Sequence, residues 1–510
     1  MDILKEIHRS LDKSDSRISD AVFEGANIVL YTKDKEFFNN GQDEVRKLVS
    51  EFKKRVELRC DPSLALDQEV AEEKIQAILP DEAKADQIIF DPERNLVIIE
   101  TEKPGVAIGK QGCILREIKR ETLWTPLIKR TPSIRSKLIE NIRAVLYQNS
   151  DYRRKFLHKV GQKIYSGWSR DRKEHWVRLS VLGAGRQVGR SCFLLQTPDS
   201  NILLDCGIDP GTGESPYFES PDFDISKIDA VILSHAHLDH VGLLPFLYKM
   251  QYKGPVYCTA PTRDIASISL LDFTKIMKND GKPPLFGIDD IREMVKHSIT
   301  LNYEEVTDIT PDVRITFYNS GHIIGSAMVH IHIGNGMHNF LYTADQKYGK
   351  TQLLDPAVTK FPRCESMLLE ATYGAKDAVL PSREENENFL AKVIADTING
   401  GGKVLVPVLG VGRAQEVQLI VHKLIEGKKM PNVPVFVDGM VWDITAIHTA
   451  YPEFLSKSVR QKIFQKDNNP FMSEIFKQVG SQKERTQIME ENGPCVILAT
   501  SGMLMGGPSV

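Results

Sequence analysis

A cluster of metal-ligand side chains follows one short apolar run. His235, His237, Asp239 and His240 fall within six residues, directly after the apolar stretch at 230–233. Neutral imidazoles are good ligands for Zn²⁺, and a carboxylate adds negative charge and can bridge two ions. Because side chains two positions apart in an extended segment point to the same side, His235 and His237 can bind one ion together. Asp239 and His240 follow where a helix is expected to begin, so the segment could serve two ions side by side.

The alternative for this segment is a solvated loop whose histidines bind nothing. For a single histidine that alternative would be favoured. Here four potential ligands are crowded into one loop, and such crowding is costly without a cation to coordinate them. The spacing therefore predicts a metal site.

Two later positions could add ligands to this site. His322 lies in the sequence GHIIGS at 321–326, and Asp345 ends the sequence YTAD at 342–345. Each follows an apolar strand pattern in a short turn. A plain turn residue also suits each position, so the residues alone leave both assignments open.

In this order along the chain, the motifs resemble the metallo-β-lactamase fold. The sequence LLDCG at 203–207 matches the first motif of that fold, and the resemblance gives its Asp205 a supporting role beside the metals. The resemblance assigns one zinc to His235, His237 and His322, and a second zinc to Asp239, His240 and Asp345. Asp345 would bridge the two ions. Asp239 is also a candidate catalytic residue that orients the nucleophile or accepts its proton.

Three later motifs resemble the β-CASP branch of this fold, in which a second α/β domain is inserted and nucleic acid is the substrate. They are LEATYG at 369–374, GRAQE at 412–416 and TSGML at 500–504. Glu370 matches the acidic motif of the branch, which implies a catalytic role. Arg413 is expected at a helix N-terminus, where free N–H groups and the helix dipole favour an anion such as a phosphate. The alternative is a structural ion pair between Arg413 and Glu416.

A glycine-flanked loop near the N-terminus could bind a nucleic-acid backbone. Gly109, Lys110, Gln111 and Gly112 lie between the apolar PGVAI and the amphipathic CILREI. The glycines let the backbone approach a sugar-phosphate chain closely, and the lysine adds positive charge. The loop resembles the GxxG loop of KH domains, so these four residues are expected to bind RNA.

The apolar patterns predict the elements that position these motifs. Short strands and helices alternate in the first 150 residues, apolar strands alternate with glycine-rich turns after position 177, and helix–strand alternation from about 384 is typical of a parallel α/β layer. We therefore expect a multi-domain α/β protein. Its expected parts are a KH-like module without GxxG (1–68), a KH domain with GxxG (69–150), a basic and partly helical linker (151–177), a metallo-β-lactamase αββα sandwich (178–383) and an inserted β-CASP domain (384–510).

Charge and cysteine usage limit the partners and the compartment. The net charge is −3, but residues 118–178 carry 16 Lys plus Arg against 5 Asp plus Glu. Such a basic stretch is typical of a protein that binds a polyanion, with a solvated helix face as the alternative. The seven cysteines are scattered and never spaced as CxxC, which argues against a disulfide framework and favours the cytoplasm. No apolar run approaches the roughly 18 residues of a membrane span, so no membrane is expected.

Tandem KH-like modules followed by these two domains resemble the archaeal cleavage and polyadenylation specificity factor ribonucleases. The resemblance implies endonucleolytic cleavage of single-stranded RNA with two zinc ions, and 5′-to-3′ exonuclease activity in some relatives. It also implies a role in RNA 3′-end formation and transcription termination, with RNA polymerase as a partner. The family pattern continues past Val510 with two further histidines and a homodimer contact. On that basis we expect a C-terminally truncated chain, whose second zinc would have three protein ligands.

Two other functions fit parts of the pattern. A non-catalytic RNA-binding termination scaffold would share the architecture, but such relatives have lost histidines, and here every ligand motif before 510 is intact. A small-molecule hydrolase of the same fold would have little use for KH-like modules. Fold alone does not fix chemistry, so zinc content and RNA cleavage must separate these functions.

Overall fold

The computed structural model describes residues 3–11, 17–166, 176–504 and 507–510. The first unit is a small sheet with helices. Its elements are α1 (Ile3–Leu11), β1 (Ile18–Glu24), β2 (Asn27–Thr32), α2 (Lys35–Asn40), α3 (Gln42–Phe52) and β3 (Val56–Cys60). The central strand β2 pairs antiparallel with β1 and parallel with β3. Its apolar residues Ile28 and Leu30 are fully buried against Phe37 and Leu48 of the helices.

The second unit repeats this arrangement. Its elements are α4 (Gln68–Ile78), β4 (Ala85–Asp91), β5 (Leu96–Thr101), α5 (Pro104–Ile108), α6 (Cys113–Thr122) and β6 (Thr125–Arg130). Again the central strand pairs antiparallel with the strand before it and parallel with the strand after the helices. The glycine-flanked loop therefore lies between two helices, α5 and α6.

The segment predicted as a basic linker is largely a packed helix. After α7 (Lys137–Gln148), α8 runs from Ser150 to Ile164. Its residues Phe156, Leu157 and Val160 belong to the core of the first unit. The helix agrees with the partly helical character that was predicted, but the packing contradicts a linker role for 151–164, because the many basic residues obscured the apolar stripe between them. Residues 167–175 of that segment lie outside the described part of the chain.

Two sheets packed face to face form the central sandwich. Its first part contains β7 (Arg178–Val181), β8 (Phe193–Gln196), β9 (Asn201–Leu204), β10 (Ala230–Ile232), α9 (Leu238–Val241), α10 (Leu244–Lys249), β11 (Val256–Cys258), α11 (Ala260–Asn279), α12 (Ile288–His297) and β12 (Ser298–Thr300). The second sheet contains β13 (Thr307–Asp308), β14 (Val313–Asn319), β15 (Ala327–Ile333), β16 (His338–Tyr342) and β17 (Ser366–Leu368). In the described residues the sheet orders are β12-β11-β10-β9-β8-β7 and β13-β14-β15-β16-β17. Ile232 and Phe317 are fully buried in the core between the sheets.

The C-terminal layer is a parallel α/β sheet, as helix–strand alternation predicted. It contains α13 (Arg383–Asn399), β18 (Lys403–Pro407), α14 (Arg413–Glu426), β19 (Val435–Asp438), α15 (Val441–Ala450), α16 (Lys457–Lys466), β20 (Phe476–Val479), α17 (Gln482–Glu490) and β21 (Cys495–Ala499). Its strands pair in the order β18-β21-β19-β20, all parallel. Across the described ranges, no helix has both the length and the apolar character needed to cross a bilayer.

Candidate metal centre

The ends of strands from both sheets of the sandwich position the predicted ligands. Asp205 follows β9, and His235 and His237 follow the neighbouring parallel strand β10. His322 lies in the turn between β14 and β15, and Asp345 lies just after β16. Because these ends meet at one edge of the sandwich, residues more than 100 positions apart converge there.

The first ligand group contains His235, His237, His322 and Asp345, whose ligand atoms lie within 4.8 Å of one another. The Nδ1 atom of His237 lies 3.0 Å from Nε2 of His322. Oδ2 of Asp345 lies 3.4 Å from Nε2 of His322 and 3.8 Å from Nε2 of His235. Three imidazole nitrogens and one carboxylate oxygen thus surround one point.

The second group contains Asp239, His240 and Asp345 and meets the same distance limit. Nε2 of His240 lies 3.3 Å from Oδ1 of Asp345 and 3.8 Å from Oδ2 of Asp239. Asp345 therefore presents one oxygen to each group, which is the arrangement of a carboxylate that bridges two ions. All six residues predicted as ligands fall in these two groups.

The chemistry of the donors fits a bound metal. The Nε2 atoms of His235 and His237 are buried and have no hydrogen-bond partner among the described residues. A buried polar atom without a partner costs about 1–3 kcal/mol, and coordination to a cation would remove that cost. Burial lowers the pKa of His235 well below its ordinary value, and burial together with His237 lowers the pKa of His322 to about 3. These rings are therefore neutral at pH 7, with lone pairs free for a metal.

Asp205 lies behind the second ligand group rather than in it. Its fully buried carboxylate contacts Nδ1 of His240 at 2.7 Å. It also accepts hydrogen bonds from the backbone N–H and hydroxyl of Ser234, both at 2.7 Å, and from the Tyr342 hydroxyl at 2.6 Å. These four contacts fix the His240 ring so that its other nitrogen faces Asp345. Asp205 is therefore a positioning residue that acts on the site through His240.

Negative charge around His240 makes the site attractive to cations. Burial alone would lower the pKa of His240, but the carboxylates of Asp205 and Asp239 raise it well above its ordinary value. Burial would likewise raise the pKa of Asp345, yet hydrogen bonding and charge from His240 lower it. The carboxylate of Asp345 therefore stays ionised near neutral pH and can hold a divalent ion.

Two cavities open onto the ligand groups. The larger, about 580 Å³, is lined by residues 184–189 together with Asp239, His240, Asp345 and Glu370. The smaller, about 320 Å³, is lined by His237, His322, Asp345, Glu370 and Arg413. Asp345 and Glu370 border both cavities, so the carboxylate shared by the two ligand groups and the predicted catalytic Glu370 are both open to a substrate.

Arg413 begins α14 beside the smaller cavity, and its side chain is exposed. Glu416, one turn later, accepts hydrogen bonds from the backbone N–H groups of Gln352 and Leu353 at 2.9 and 2.7 Å and from Arg383 at 2.5 Å. The alternative ion pair between Arg413 and Glu416 is absent from the described residues. Glu416 instead ties the start of α14 to the sandwich and leaves Arg413 free to meet an anion.

The GxxG loop joins α5 to α6 and exposes its centre. Gly109 and Gly112 have φ values of 73° and 74°, and Gln111 has a φ of 52°. Lys110 and Gln111 are exposed. A Cβ atom at Gly109 would lie 2.8 Å from atoms of Cys113 and Ile114, so this position requires glycine. The loop thus presents bare backbone and one lysine to solvent.

Sequence reasoning missed three contributors to the site. Ser234 and Tyr342 lie beside or within the recognised motifs, yet their contacts with Asp205 depend on strand neighbours that no spacing reveals. The third is Arg186, on the loop that lines the larger cavity. A glycine-rich sequence with an arginine after β7, LGAGRQVG at 182–189, was the available signal.

Comparison with known proteins matches three domain families. Residues 1–65 match the KH domain of transcription termination factor FttA, residues 194–370 the metallo-beta-lactamase superfamily domain, and residues 414–510 the Beta-Casp domain. The KH match covers the first unit, which lacks the GxxG sequence.

Proteins called transcription termination factor FttA resemble the whole chain. The protein from Methanocaldococcus jannaschii is 47% identical over 515 residues, covering 100% of this chain and 80% of the relative. Those from Methanothermobacter thermautotrophicus and Methanosarcina mazei are 46% and 45% identical, covering 100% and 99% of this chain and 81% and 80% of the relatives. At this identity and coverage, the chain belongs to the FttA family of KH, metallo-β-lactamase and β-CASP domain proteins.

Proposed function

We propose that this chain is a zinc-dependent ribonuclease that hydrolyses phosphodiester bonds of single-stranded RNA, endonucleolytically and also as a 5′-to-3′ exonuclease. The observation that carries the proposal is the sharing of Asp345 between two ligand groups that face open cavities. The name of the relatives, transcription termination factor, supports a role in transcription termination, and we propose RNA 3′-end formation as part of that role. In that role, the proposed partner is RNA polymerase and the proposed location is the cytoplasm.

Two zinc ions are the proposed cofactors. His235, His237 and His322 would hold one, Asp239 and His240 the other, and Asp345 both. When bound, such a pair supplies Lewis-acid stabilisation of a phosphodiester and a water molecule that is acidic near neutral pH. The neutral imidazoles of His235 and His322 and the ionised carboxylate of Asp345 are in the protonation states that this binding needs, whereas His240, with its raised pKa, must release a proton to bind a metal.

The remaining residues of the cavities have roles of their own. Asp239 borders the larger cavity and can orient the attacking water or accept its proton. Glu370 borders both cavities, with one oxygen held by the backbone N–H of Thr372 at 2.8 Å, and we assign it to proton transfer. Arg413 can neutralise a phosphate of the bound strand from the N-terminus of α14.

The N-terminal units supply RNA binding in this proposal. Gly109, Lys110, Gln111 and Gly112 would contact the sugar-phosphate backbone, since their exposed backbone and positive charge suit it. The proposed domains are those expected from the sequence, 1–68, 69–150, 178–383 and 384–510. The helical segment 151–164 joins the first unit.

The test compares His235→Ala with His338→Ala in zinc-loaded protein and labelled RNA. His338 lies on β16, outside both ligand groups, and bonds to Ser366. We expect the first variant to lose cleavage and zinc while it keeps RNA binding, and the control to retain all three. Cleavage by His235→Ala at the wild-type rate would overturn the metal mechanism. Wild-type protein that binds zinc and RNA without cutting would establish the non-catalytic scaffold instead.

A further inference from the structure

The loop between β7 and β8 is fixed against the metal-ligand loop. Ser191 donates its backbone N–H to the carbonyl of Asp239 at 2.7 Å and accepts from the backbone N–H of Gly207 at 2.9 Å. Residues 184–189 then line the larger cavity beside Asp239 and His240. A side chain on this loop therefore has a defined place relative to the proposed second zinc.

Two arginines on this loop are used in different ways. Arg190 is buried, donates to the Ser215 carbonyl and the Tyr217 hydroxyl, both at 3.0 Å, and pairs with Glu214 at 3.1 Å. Arg186 is exposed at the cavity, and it has no hydrogen bond or ion pair to any residue that the structure describes. Arg190 thus holds the loop in place, and Arg186 keeps its donors free for a ligand.

The free guanidinium of Arg186 has a counterpart in the smaller cavity. Arg413 lines that cavity beside His237 and His322, whereas Arg186 lines the larger one beside Asp239 and His240. Both cavities meet at Asp345 and Glu370. A strand that passes from one cavity to the other would place a phosphate at the ligand groups and a further phosphate near each arginine.

We propose that Arg186 forms a phosphate subsite of its own, which holds a backbone phosphate flanking the scissile bond on the side away from Arg413. This inference rests on the proposed ribonuclease function. A guanidinium pairs with phosphate oxygens through two parallel hydrogen bonds, so the subsite recognises backbone charge and no particular base. Together the two arginines set the register of the strand across the ligand groups.

RNA binding without cleavage gives the first test. In EDTA, Arg186→Gln is expected to bind a single-stranded oligonucleotide roughly tenfold more weakly at low salt, the loss expected for one charge-assisted contact. The slope of log affinity against log salt should fall by about 1. The matched control is Arg292→Gln, an exposed arginine on α12 paired with Asp289, which should change neither quantity. A salt slope in Arg186→Gln equal to that of the wild type would overturn the subsite.

RNA substrates with one uncharged linkage show which phosphate each arginine contacts. Substrates carry a single methylphosphonate, one linkage before or one linkage after the cleavage site. The rate loss caused by Arg186→Gln should vanish on one of these substrates, and the loss caused by Arg413→Gln on the other. The proposal would be contradicted if the same methylphosphonate removed the rate loss of both variants. It would also be contradicted if neither methylphosphonate changed the rate loss of Arg186→Gln. If zinc-loaded wild type cuts no RNA, the ribonuclease function fails, while the salt slope still decides whether Arg186 binds phosphate.

Discussion

The metal centre and the GxxG loop are two polar sites that the same chain builds in opposite ways. At the metal centre, His235 and Asp205 are fully buried, and four contacts on Asp205 fix the His240 ring. At the GxxG loop, Lys110 and Gln111 are exposed, and the glycines keep side chains away from the backbone. Hydrolysis requires ligands held before the substrate arrives, whereas strand binding requires accessible backbone. We therefore expect mutations of the metal ligands to abolish cleavage and spare RNA binding, and mutations in the GxxG loop to weaken RNA binding and spare the metal centre.

The largest effect is expected for Asp345→Ala. This change removes the one carboxylate that belongs to both ligand groups, so both proposed zinc ions lose a ligand. Cleavage should fall by roughly 10³-fold or more, since charge stabilisation at the reacting phosphate is lost. RNA binding in EDTA should stay at the wild-type level. Zinc analysis and gel-based cleavage would check this, and full zinc content with normal cleavage would refute the bridging role.

A smaller loss is expected for Asp205→Asn. The amide retains the shape of the side chain but lacks the charge that orients His240 and raises its pKa. Partners that orient metal ligands typically contribute about 10–100-fold to metal affinity or activity. A titration of zinc affinity measures this directly. Affinity equal to that of the wild type would show that the charge of Asp205 is not needed to orient His240.

The smallest effect on cleavage chemistry is expected for Gly112→Asp. The new carboxylate would lie in open space, where it repels the RNA backbone without a clash. RNA affinity should fall roughly tenfold, with zinc content unchanged. Gly213→Asp is the matched control, because Gly213 also has a positive φ and open space around its Cβ position. If Gly112→Asp lost zinc and Gly213→Asp did not, the GxxG loop and the metal centre would not be independent.

The parts of the site that sequence predicts are those whose signal is local. His235, His237, Asp239 and His240 are within one loop, so their spacing alone indicates a metal site. His322 and Asp345 are distant along the chain, and the residues by themselves left a turn role open for each. Only the resemblance to a family assigned them to the centre, where the geometry places them.

Contacts that depend on packing were not predictable. Arg413 does not pair with Glu416 because Glu416 already binds Arg383 and the backbone of residues 352–353, which belong to other parts of the chain. The helix α8 was taken for a linker because its buried face is narrow and surrounded by basic residues. In both cases the deciding neighbours lie far away in sequence, where spacing carries no information.

The chemical ends of the RNA products test the central claim most directly. If water activated at the metal centre attacks phosphorus, zinc-loaded protein should leave a 5′-phosphate and a 3′-hydroxyl on the fragments. Mass spectrometry of a cleaved oligonucleotide distinguishes these ends from a 2′,3′-cyclic phosphate with a 5′-hydroxyl, which arises when the ribose 2′-hydroxyl attacks instead. Cyclic phosphate ends that depend on His235 and Asp345 would contradict the proposed hydrolysis.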